Sequence, residues 1–208
     1  RQFIYTLVNN PNMFNSNVAQ NQNNIQNEVE TEPVPEDTVI NIVGIGDALC
    51  HSQNFRDAYN SETGTYDFSP MFKNVTKYFD DATVAVGNLE TTLAGADRGY
   101  SGYPTFNSPD ELAYDLKEMG IDILTTANNH CLDKGYTGLE RTLNVLDDYG
   151  IAHTGTSRSE EEQNTILMKD LEGIKTAFLC YTYGTNGIPI PTGREYSVSC
   201  SGSPPAEE

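Results

Sequence analysis

The sequence predicts an α/β fold, built from repeated β-α units around a mostly parallel sheet. Three short apolar segments, at residues 38–45, 83–86 and 121–127, each come before a stretch with helical periodicity. Strands that alternate with helices imply right-handed crossovers and a parallel sheet whose faces are covered. Polar side chains follow each apolar segment directly, and in such sheets ligands bind beyond the carboxyl ends of the strands. We therefore expect a site along that edge.

The first β-α unit starts near Thr38. A nearly continuous apolar run ends in Gly46-Asp47, which predicts a buried strand with an acid at its carboxyl end. Further along, Ser69 and Pro70 supply an N-cap and a first-turn proline for a helix. The apolar residues of this helix fall on one face and are Met71, Phe72, Val75, Tyr78 and Phe79.

The second unit begins with the strand Thr83–Val86, which runs straight into Asn88 and Glu90. A loop rich in Gly, Tyr and Ser follows, and it leads to Ser108-Pro109-Asp110-Glu111. This sequence predicts a capping box, in which the Ser108 and Glu111 side chains each satisfy a free backbone amide. The helix that it opens buries Leu112, Leu116 and Met119 and ends at Gly120.

The third unit carries the densest group of polar residues. Its strand, residues 121–127, is followed by Asn128, Asn129, His130 and Asp133, and then by a helix that Gly150 ends. The two asparagines could simply turn the chain, because Asn tolerates left-handed conformations and bonds its own backbone. Two amides, an imidazole and a carboxylate together favour a site over a loop network. The helix carries Leu139, Leu143, Leu146 and Tyr149 at helical spacing.

The ends of the chain differ in character from its centre. Residues 1–37 are predicted to be a disordered Asn/Gln-rich and acidic linker, because they offer little apolar surface for folding. The α/β domain spans residues 38–183; it continues with a fourth strand at 151–154 and a hairpin that turns at Asp170–Gly173. Residues 184–208 are rich in Gly, Pro and Ser and are predicted to be a loop or flexible tail.

Composition restricts the partners. The chain has 12 Lys and Arg against 30 Asp and Glu, a formal net charge of -18, which repels nucleic acids and anionic membrane surfaces. A polyanionic partner would need a metal ion or a local basic patch. No apolar run approaches the roughly 20 residues that span a bilayer.

Two cysteines, Cys50 and Cys131, adjoin histidines, and this neighbourhood suggests a zinc site. The sequence has no CxxC spacing, however, and buried thiols are the favoured interpretation.

Residues at the three strand ends share one kind of chemistry. They are Asp47, Asn88, Glu90, Asn129 and His130, and parallel strands bring all of them to one edge. Carboxylate, amide oxygen and imidazole groups bind hard to borderline divalent metals. A metal ion there would polarise a phosphoryl or acyl oxygen, and His130 could protonate a leaving group.

The motifs together resemble one known family. They are Gly46-Asp47, Gly87-Asn88-Leu89-Glu90, Phe106 through Ser108-Pro109, and Ala127-Asn128-Asn129-His130 with Asp133, Gly135, Gly138-Leu139, Thr142-Leu143 and Leu146. In order and spacing, over roughly residues 39–155, they are similar to the bacterial capsule synthesis CapA family. These are also described as poly-gamma-glutamate biosynthesis proteins. The resemblance implies a calcineurin-like metallophosphoesterase sandwich, of which this chain carries only the N-terminal part.

The resemblance also implies roles for individual residues. Asp47 matches the acid of the first metallophosphoesterase motif, and Asn88 or Glu90 belongs to the second. Asn129 and His130 match the Asn-His of the third motif, where Asn is a metal ligand and His sits beside the substrate phosphate. The implied metal set is Asp47, Asn88, Glu90 and Asn129, with a divalent ion such as Mn, Zn, Fe or Mg. Asp47 and His130 are the implied catalytic residues, and His51, Asn128 and Asp133 are additional candidates.

One departure bears on activity. Family members continue into a second half with further histidines, including a His-x-His segment, whereas this sequence has no histidine after His153. His51 also lies farther from Asp47 than the first motif usually places its histidine, so a helix-start histidine is an equal interpretation. With few imidazoles, we expect at most one weakly held divalent ion per chain.

Two function hypotheses follow from the resemblance. The first is a metal-dependent phosphoesterase-like hydrolase that acts on an anionic exopolymer or another phosphate-containing substrate in capsule or poly-gamma-glutamate synthesis. The second is a non-catalytic component that binds polymer or assembles with capsule synthesis membrane proteins. Under both, we expect the protein at the extracellular face of the cell envelope, anchored by a segment absent from this chain.

Overall fold

Strands and helices alternate along most of the chain. The computed structural model describes residues 3–8 and 37–201. Its elements in chain order are β1 (Phe3–Val8), β2 (Ile42–Ala48), α1 (Ser52–Ala58), β3 (Tyr59–Asn60), β4 (Thr65–Tyr66), α2 (Ser69–Phe72), β5 (Val84–Leu89), α3 (Glu111–Met119), β6 (Ile123–Thr125), α4 (Gly135–Asp148), β7 (Ala152–Thr154), α5 (Glu160–Asn164), β8 (Leu167–Leu171) and β9 (Ile174–Tyr181).

The centre of the fold is a parallel sheet of four strands in the order β2-β5-β6-β7. Each strand but the last leads through helical segments to its parallel neighbour, which is the predicted α/β arrangement. All six residues of β5 are buried, and so are the three of β6. The two central strands are therefore fully buried. The carboxyl ends of the parallel strands lie along one edge of the sheet.

Two helices cover one face of this sheet. Leu112, Leu116 and Met119 of α3 are buried, and α4 buries Leu143 and Leu146 completely. These positions are three or four residues apart, so that they share one side of each helix. Both helices form as the sequence predicts. Gly120 ends α3 in the left-handed region, with φ 119°, and its N–H donates to carbonyls of the last turn.

The first predicted strand is shifted and is not buried. It runs over Ile42–Ala48 instead of 38–45, and Val39 is 74% exposed. The reason is its position, because β2 lies at the edge of the sheet and pairs only with β5 in that sheet. Ile42 is consequently 41% exposed, and the prediction of a fully buried strand was wrong.

The helix predicted after Ser69 is broken. It consists of the four-residue α2 and a separate 3-10 turn at Thr76–Tyr78. The hydroxyl of Thr76 bonds the carbonyl of Phe72 at 3.1 Å, an alternative to regular helix bonding. The predicted capping box is also absent, because the buried hydroxyl of Ser108 pairs with that of Thr91 at 2.8 Å.

A second sheet packs against the other face of the first. Its strands are antiparallel in the order β1-β9-β8, and the predicted hairpin joins β8 to β9 through Glu172 and Gly173, both with positive φ. Leu171 and Phe178 from this sheet pack with Val84, Val86 and Ile123 of the parallel sheet. The two layers form the predicted sandwich.

The predicted end segments differ in outcome. Of the linker predicted over 1–37, Phe3–Val8 is β1, paired antiparallel with β9, so a disordered linker does not describe these six residues. Residues 9–36 lie outside the described part. Residues 184–201 are mostly irregular, yet Val198 is buried beside Leu132 and Leu139; residues 202–208 are not described. Among described helices, none is long and apolar enough to cross a bilayer.

Candidate functional site

Two acids meet where β2 and β5 end. The parallel register places Asp47 opposite Asn88, whose Nδ2 donates to Asp47 Oδ1 at 2.8 Å. Glu90 follows β5 and shares a hydrogen bond with the Asp47 carboxylate. Burial, that hydrogen bond and the negative charge of Asp47 raise the pKa of Glu90 to about 7, against a smaller opposing effect of His130. The crevice thus holds two carboxyl groups close enough to interact.

Asn88 and Asn128 bond mainly to the framework. Asn88 Oδ1 accepts from Thr125 Oγ1 at 3.3 Å and from Asn128 Nδ2 at 3.2 Å. Asn128 also donates to the carbonyl of Leu89, and its Oδ1 accepts the backbone N–H of His130. Each of the two asparagines is only 2% exposed. Asn128 therefore ties β5 to the loop after β6, which is the turn-forming interpretation of this residue.

His130 is held by Asp133 and Phe106. Its Nδ1 lies 2.7 Å from Asp133 Oδ2, and the same oxygen accepts the Phe106 N–H at 2.6 Å. The Asp133 side chain is 1% exposed, so this carboxylate is fixed in place. The imidazole meets the Phe106 ring edge to face, with centroids 4.7 Å apart. Its Nε2 is left on the crevice side, 4.0 Å from Glu90 Oε1.

Asn129 faces a residue that the sequence did not identify. Its Nδ2 donates to Oδ1 of Asn186 at 3.3 Å, while Asn186 Nδ2 lies 3.4 Å from His130 Nδ1 and 3.5 Å from Nε2. Asn186 belongs to the loop after β9, inside the segment that we predicted to be a loop or tail. The available signal was Asn186-Gly187 after a strand, a dipeptide typical of tight turns.

His51 lies at the start of a helix and also adjoins the site. It is the N-cap residue of α1, which is the helix-start interpretation. Its ring packs edge to face on Phe106, with centroids 5.0 Å apart. Phe106 therefore contacts the rings of both His51 and His130. No direct bond from the His51 ring to Asp47 or Glu90 accompanies this arrangement in the described residues.

The donor set suits a hard cation at the two acids. Carboxylates in contact repel each other when both are ionised, and either a proton or a divalent cation relieves that repulsion. Of the amides, Asn88 fits less well, because its nitrogen donates to Asp47 and its oxygen accepts from Thr125 and Asn128, whereas the bond from Asn129 to Asn186 uses only its Nδ2. Over residues 37–201, no group of three or more His, Cys, Asp and Glu side chains is arranged around a common metal position.

The cysteines beside the histidines are buried thiols. Cys50 is 2% and Cys131 6% exposed. Burial raises the pKa of the Cys131 thiol to about 12, and it raises that of Cys50 as well. Both thiols are enclosed by the surrounding protein. This supports the buried-thiol interpretation of both residues.

Comparison with known proteins gives one family. Residues 41–203 match the family model described as bacterial capsule synthesis protein PGA_cap. Two uncharacterised proteins of Sinorhizobium fredii are 31% identical over 134 residues (61% of this chain) and 32% identical over 121 residues (54%). The capsule biosynthesis protein CapA of Bacillus anthracis is 23% identical over 116 residues, or 54% of this chain. The matches cover 29%, 26% and 28% of these relatives, so the chain spans less than a third of their length.

Proposed function

This chain belongs to the bacterial capsule synthesis protein PGA_cap family, and we propose that its crevice is a metal-dependent phosphoester-hydrolysing site. The observation that carries the proposal is that Asp47, bonded to Asn88 at the end of β5, lies close to the Glu90 carboxyl group, with the imidazole Nε2 of His130 4.0 Å from Glu90 Oε1. Paired acids can hold a divalent cation and a positioned imidazole can transfer a proton, and both contribute to the hydrolysis of phosphoesters.

The chain's own residues divide the work. Asp47 and Glu90 would hold the cation, which when bound would supply Lewis acidity toward a phosphoryl oxygen. His130 would deliver a proton from Nε2 to the leaving oxygen, because Asp133 holds Nδ1 and leaves Nε2 toward the crevice. Asp133 keeps the ring oriented throughout, because its Oδ2 lies 2.7 Å from Nδ1.

The charge of the protein supports a role for the cation in substrate binding as well. A net charge of -18 opposes the approach of phosphate esters and of acidic polymers. Neutralising Asp47 and Glu90 with a divalent ion removes the negative charge closest to the substrate. We therefore propose that the substrate is an anionic exopolymer or another phosphate-containing compound, and that the process is poly-gamma-glutamate synthesis. The proposed partners are capsule synthesis membrane proteins at the outer face of the envelope.

A second candidate function has its own support. The buried amide of Asn88 bonds within the protein through both its nitrogen and its oxygen, and no site of three or more acidic, His or Cys ligands exists among the described residues. This arrangement favours a non-catalytic component that uses the crevice to bind polymer or a membrane partner.

Metal binding and hydrolysis measured on the same preparations separate the two candidates. We expect the parent to bind one Mn²⁺ per chain, weakly, by calorimetry and to hydrolyse bis(p-nitrophenyl) phosphate. Asp47→Asn should lose both properties, and His130→Gln should lose hydrolysis while it keeps binding. Asp67→Asn, which changes an exposed acid elsewhere, is the matched control.

The outcomes are distinct. One bound ion without hydrolysis of monoester or diester would favour the assembly component. No binding of Mn²⁺, Zn²⁺ or Mg²⁺, or two tightly bound ions per chain, would overturn the site as proposed.

A further inference from the structure

The turn after β9 places one side chain against two residues of the site. We propose that Asn186 is a positioning residue, which fixes the amide of Asn129 and the ring of His130 in their working orientations. The purpose of these orientations rests on the proposed function. That Asn186 holds the two side chains in place depends only on its own contacts with them.

The backbone of this turn is well defined. Ile188 N–H donates to the carbonyl of Thr185 at 2.9 Å, and Asn186 and Gly187 between them have φ of 53° and 77°. Two central residues with positive φ make a type I′ turn, in which Asn-Gly is the preferred pair. The Thr185 hydroxyl bonds the Ile188 carbonyl and braces the turn further. The backbone therefore explains an asparagine here, but it leaves the side-chain contacts to be explained.

Asn186 contacts the imidazole through the face of the ring. Its Nδ2 is almost equally distant from both ring nitrogens of His130, at 3.4 and 3.5 Å. An atom at such distances in the ring plane would collide with the carbon between the nitrogens, so the amide lies over the face. The in-plane position at Nδ1 belongs to Asp133, at 2.7 Å. Asn186 thus limits tilting of the ring and leaves the in-plane direction of Nε2 to the crevice.

The other end of the same amide sets the orientation of Asn129. Asn186 Oδ1 accepts from Asn129 Nδ2 at 3.3 Å. Because the nitrogen of Asn129 is held by this bond, its oxygen points in another direction. Rotating the amide group so that nitrogen and oxygen swap places would break the bond. Asn129 is half-buried, so this contact distinguishes its two orientations. Residues that orient a ligand or an acid in this way commonly change activity about 10–100-fold when they are replaced.

The same turn lines a cleft next to the site. The cleft has a volume of about 370 Å³, and its lining includes Asn128, Asn129 and Asn186. Removal of the Asn186 side chain would widen this cleft beside Asn129. The freed space would let both Asn129 and the imidazole adopt further orientations.

Asn186→Gly is the decisive variant, because glycine keeps the positive φ and removes only the side chain. We expect its melting temperature to equal that of the parent, and kcat for bis(p-nitrophenyl) phosphate with Mn²⁺ to fall about 10–100-fold at unchanged KM. In NMR spectra, the Asn129 side-chain amide signals should shift and the NOE between the Phe106 and His130 rings should weaken.

A matched control exists in the second sheet. Glu172 is the other described non-glycine residue with positive φ, at 55°, in the turn of the β8-β9 hairpin. Glu172→Gly makes the same backbone change away from the site and should leave kcat and both NMR signals unchanged. Asn186→Asp retains the acceptor for Asn129 and should preserve the Asn129 signals while the His130–Phe106 NOE still weakens.

The two proposals fail differently. Unchanged NMR signals in Asn186→Gly, or unchanged kcat in an active protein, would overturn the positioning role. A parent that hydrolyses no phosphoester would overturn the proposed function, whereas the NMR comparison would still decide whether Asn186 positions the two side chains.

Discussion

Asp133→Asn tests how the site is assembled, because one carboxylate oxygen serves two donors. Asp133 Oδ2 accepts from Phe106 N at 2.6 Å and from His130 Nδ1 at 2.7 Å. Asparagine has nearly the same shape but carries no charge. Its oxygen must take the place of Oδ2, since its NH₂ group there would oppose the Phe106 N–H.

The expected cost follows from the loss of charge. Hydrogen bonds to charged groups contribute about 1.5–3 kcal/mol and neutral ones about 0.5–1.5, so each of the two bonds weakens by roughly 1 kcal/mol. We therefore expect Asp133→Asn to reduce the free energy of unfolding by about 2 kcal/mol. The imidazole also loses the charged partner that holds Nδ1 and orients the ring. Proton transfer by His130 should consequently slow by about 10²–10⁴-fold.

Urea unfolding and hydrolysis of bis(p-nitrophenyl) phosphate with Mn²⁺ measure the two effects separately. Asp67→Asn is the matched control, because Asp67 is exposed and also accepts a backbone N–H, from Ser69 at 3.0 Å. Its stability should change by less than about 0.5 kcal/mol and its turnover not at all. If Asp133→Asn unfolded like the parent and kept its rate of hydrolysis, Asp133 would not orient His130, and our account of this pair of residues would be wrong.

Two further predictions concern the scaffold. Leu143→Ala should cost about 2–5 kcal/mol in urea unfolding, because Leu143 is 0% exposed on α4, whereas Met168→Ala, at a half-exposed position, should cost far less. For acid stability, burial acts to raise the pKa of Asp147, but hydrogen bonds from Arg158 and His153 outweigh it and the pKa is lowered. The stability that Asp147 contributes should be complete above its ordinary value of 3.8 and be lost as pH falls through the lower folded pKa, so Asp147→Asn should show a smaller acid-induced loss.

Elements whose apolar pattern agreed with their final environment were predictable from the sequence. The helix around Leu139, Leu143 and Leu146, and the strands after Thr83 and Gly120, bury the side chains that the pattern selects. In these segments local periodicity and tertiary packing point to the same structure. The parallel arrangement follows from their alternation.

Predictions failed where a distant partner decided the structure. Ser108 has the spacing of a capping residue, but the hydroxyl of Thr91, seventeen positions earlier in the chain, takes its hydrogen bond. The apolar run that includes Val39 and Ile42 looks like a central strand, although it forms the sheet edge. Whether a strand is central depends on which strands pair with it, and periodicity within the strand carries no such information.

The sequence predicted where the candidate site residues lie better than it predicted what each residue does. Asp47, Asn88, Glu90, Asn129 and His130 do come to one edge, as their place after parallel strands requires. The role of Asn186 could not be inferred, because its contacts with residues fifty-six and fifty-seven positions earlier depend on how the second sheet packs on the first. Asp133 was only an additional candidate, although it is the group that holds His130.

The position of each strand in the sheet explains which polar residues remain available for chemistry. Interior strands end in buried surroundings, where an amide must be hydrogen-bonded, and Asn88 and Asn128 accordingly bond to each other and to the framework. The edge strand β2 leaves Asp47 exposed, so its carboxylate can meet Glu90, and a ligand can reach both. The groups that we propose as reactive therefore come from the sheet edge and the loops, while the asparagines at the ends of the interior strands fix the geometry around them. A buried asparagine at the end of an interior strand should thus be weighed first as framework, and carboxylates on the edge strand or in the loops that follow the strands as candidate ligands.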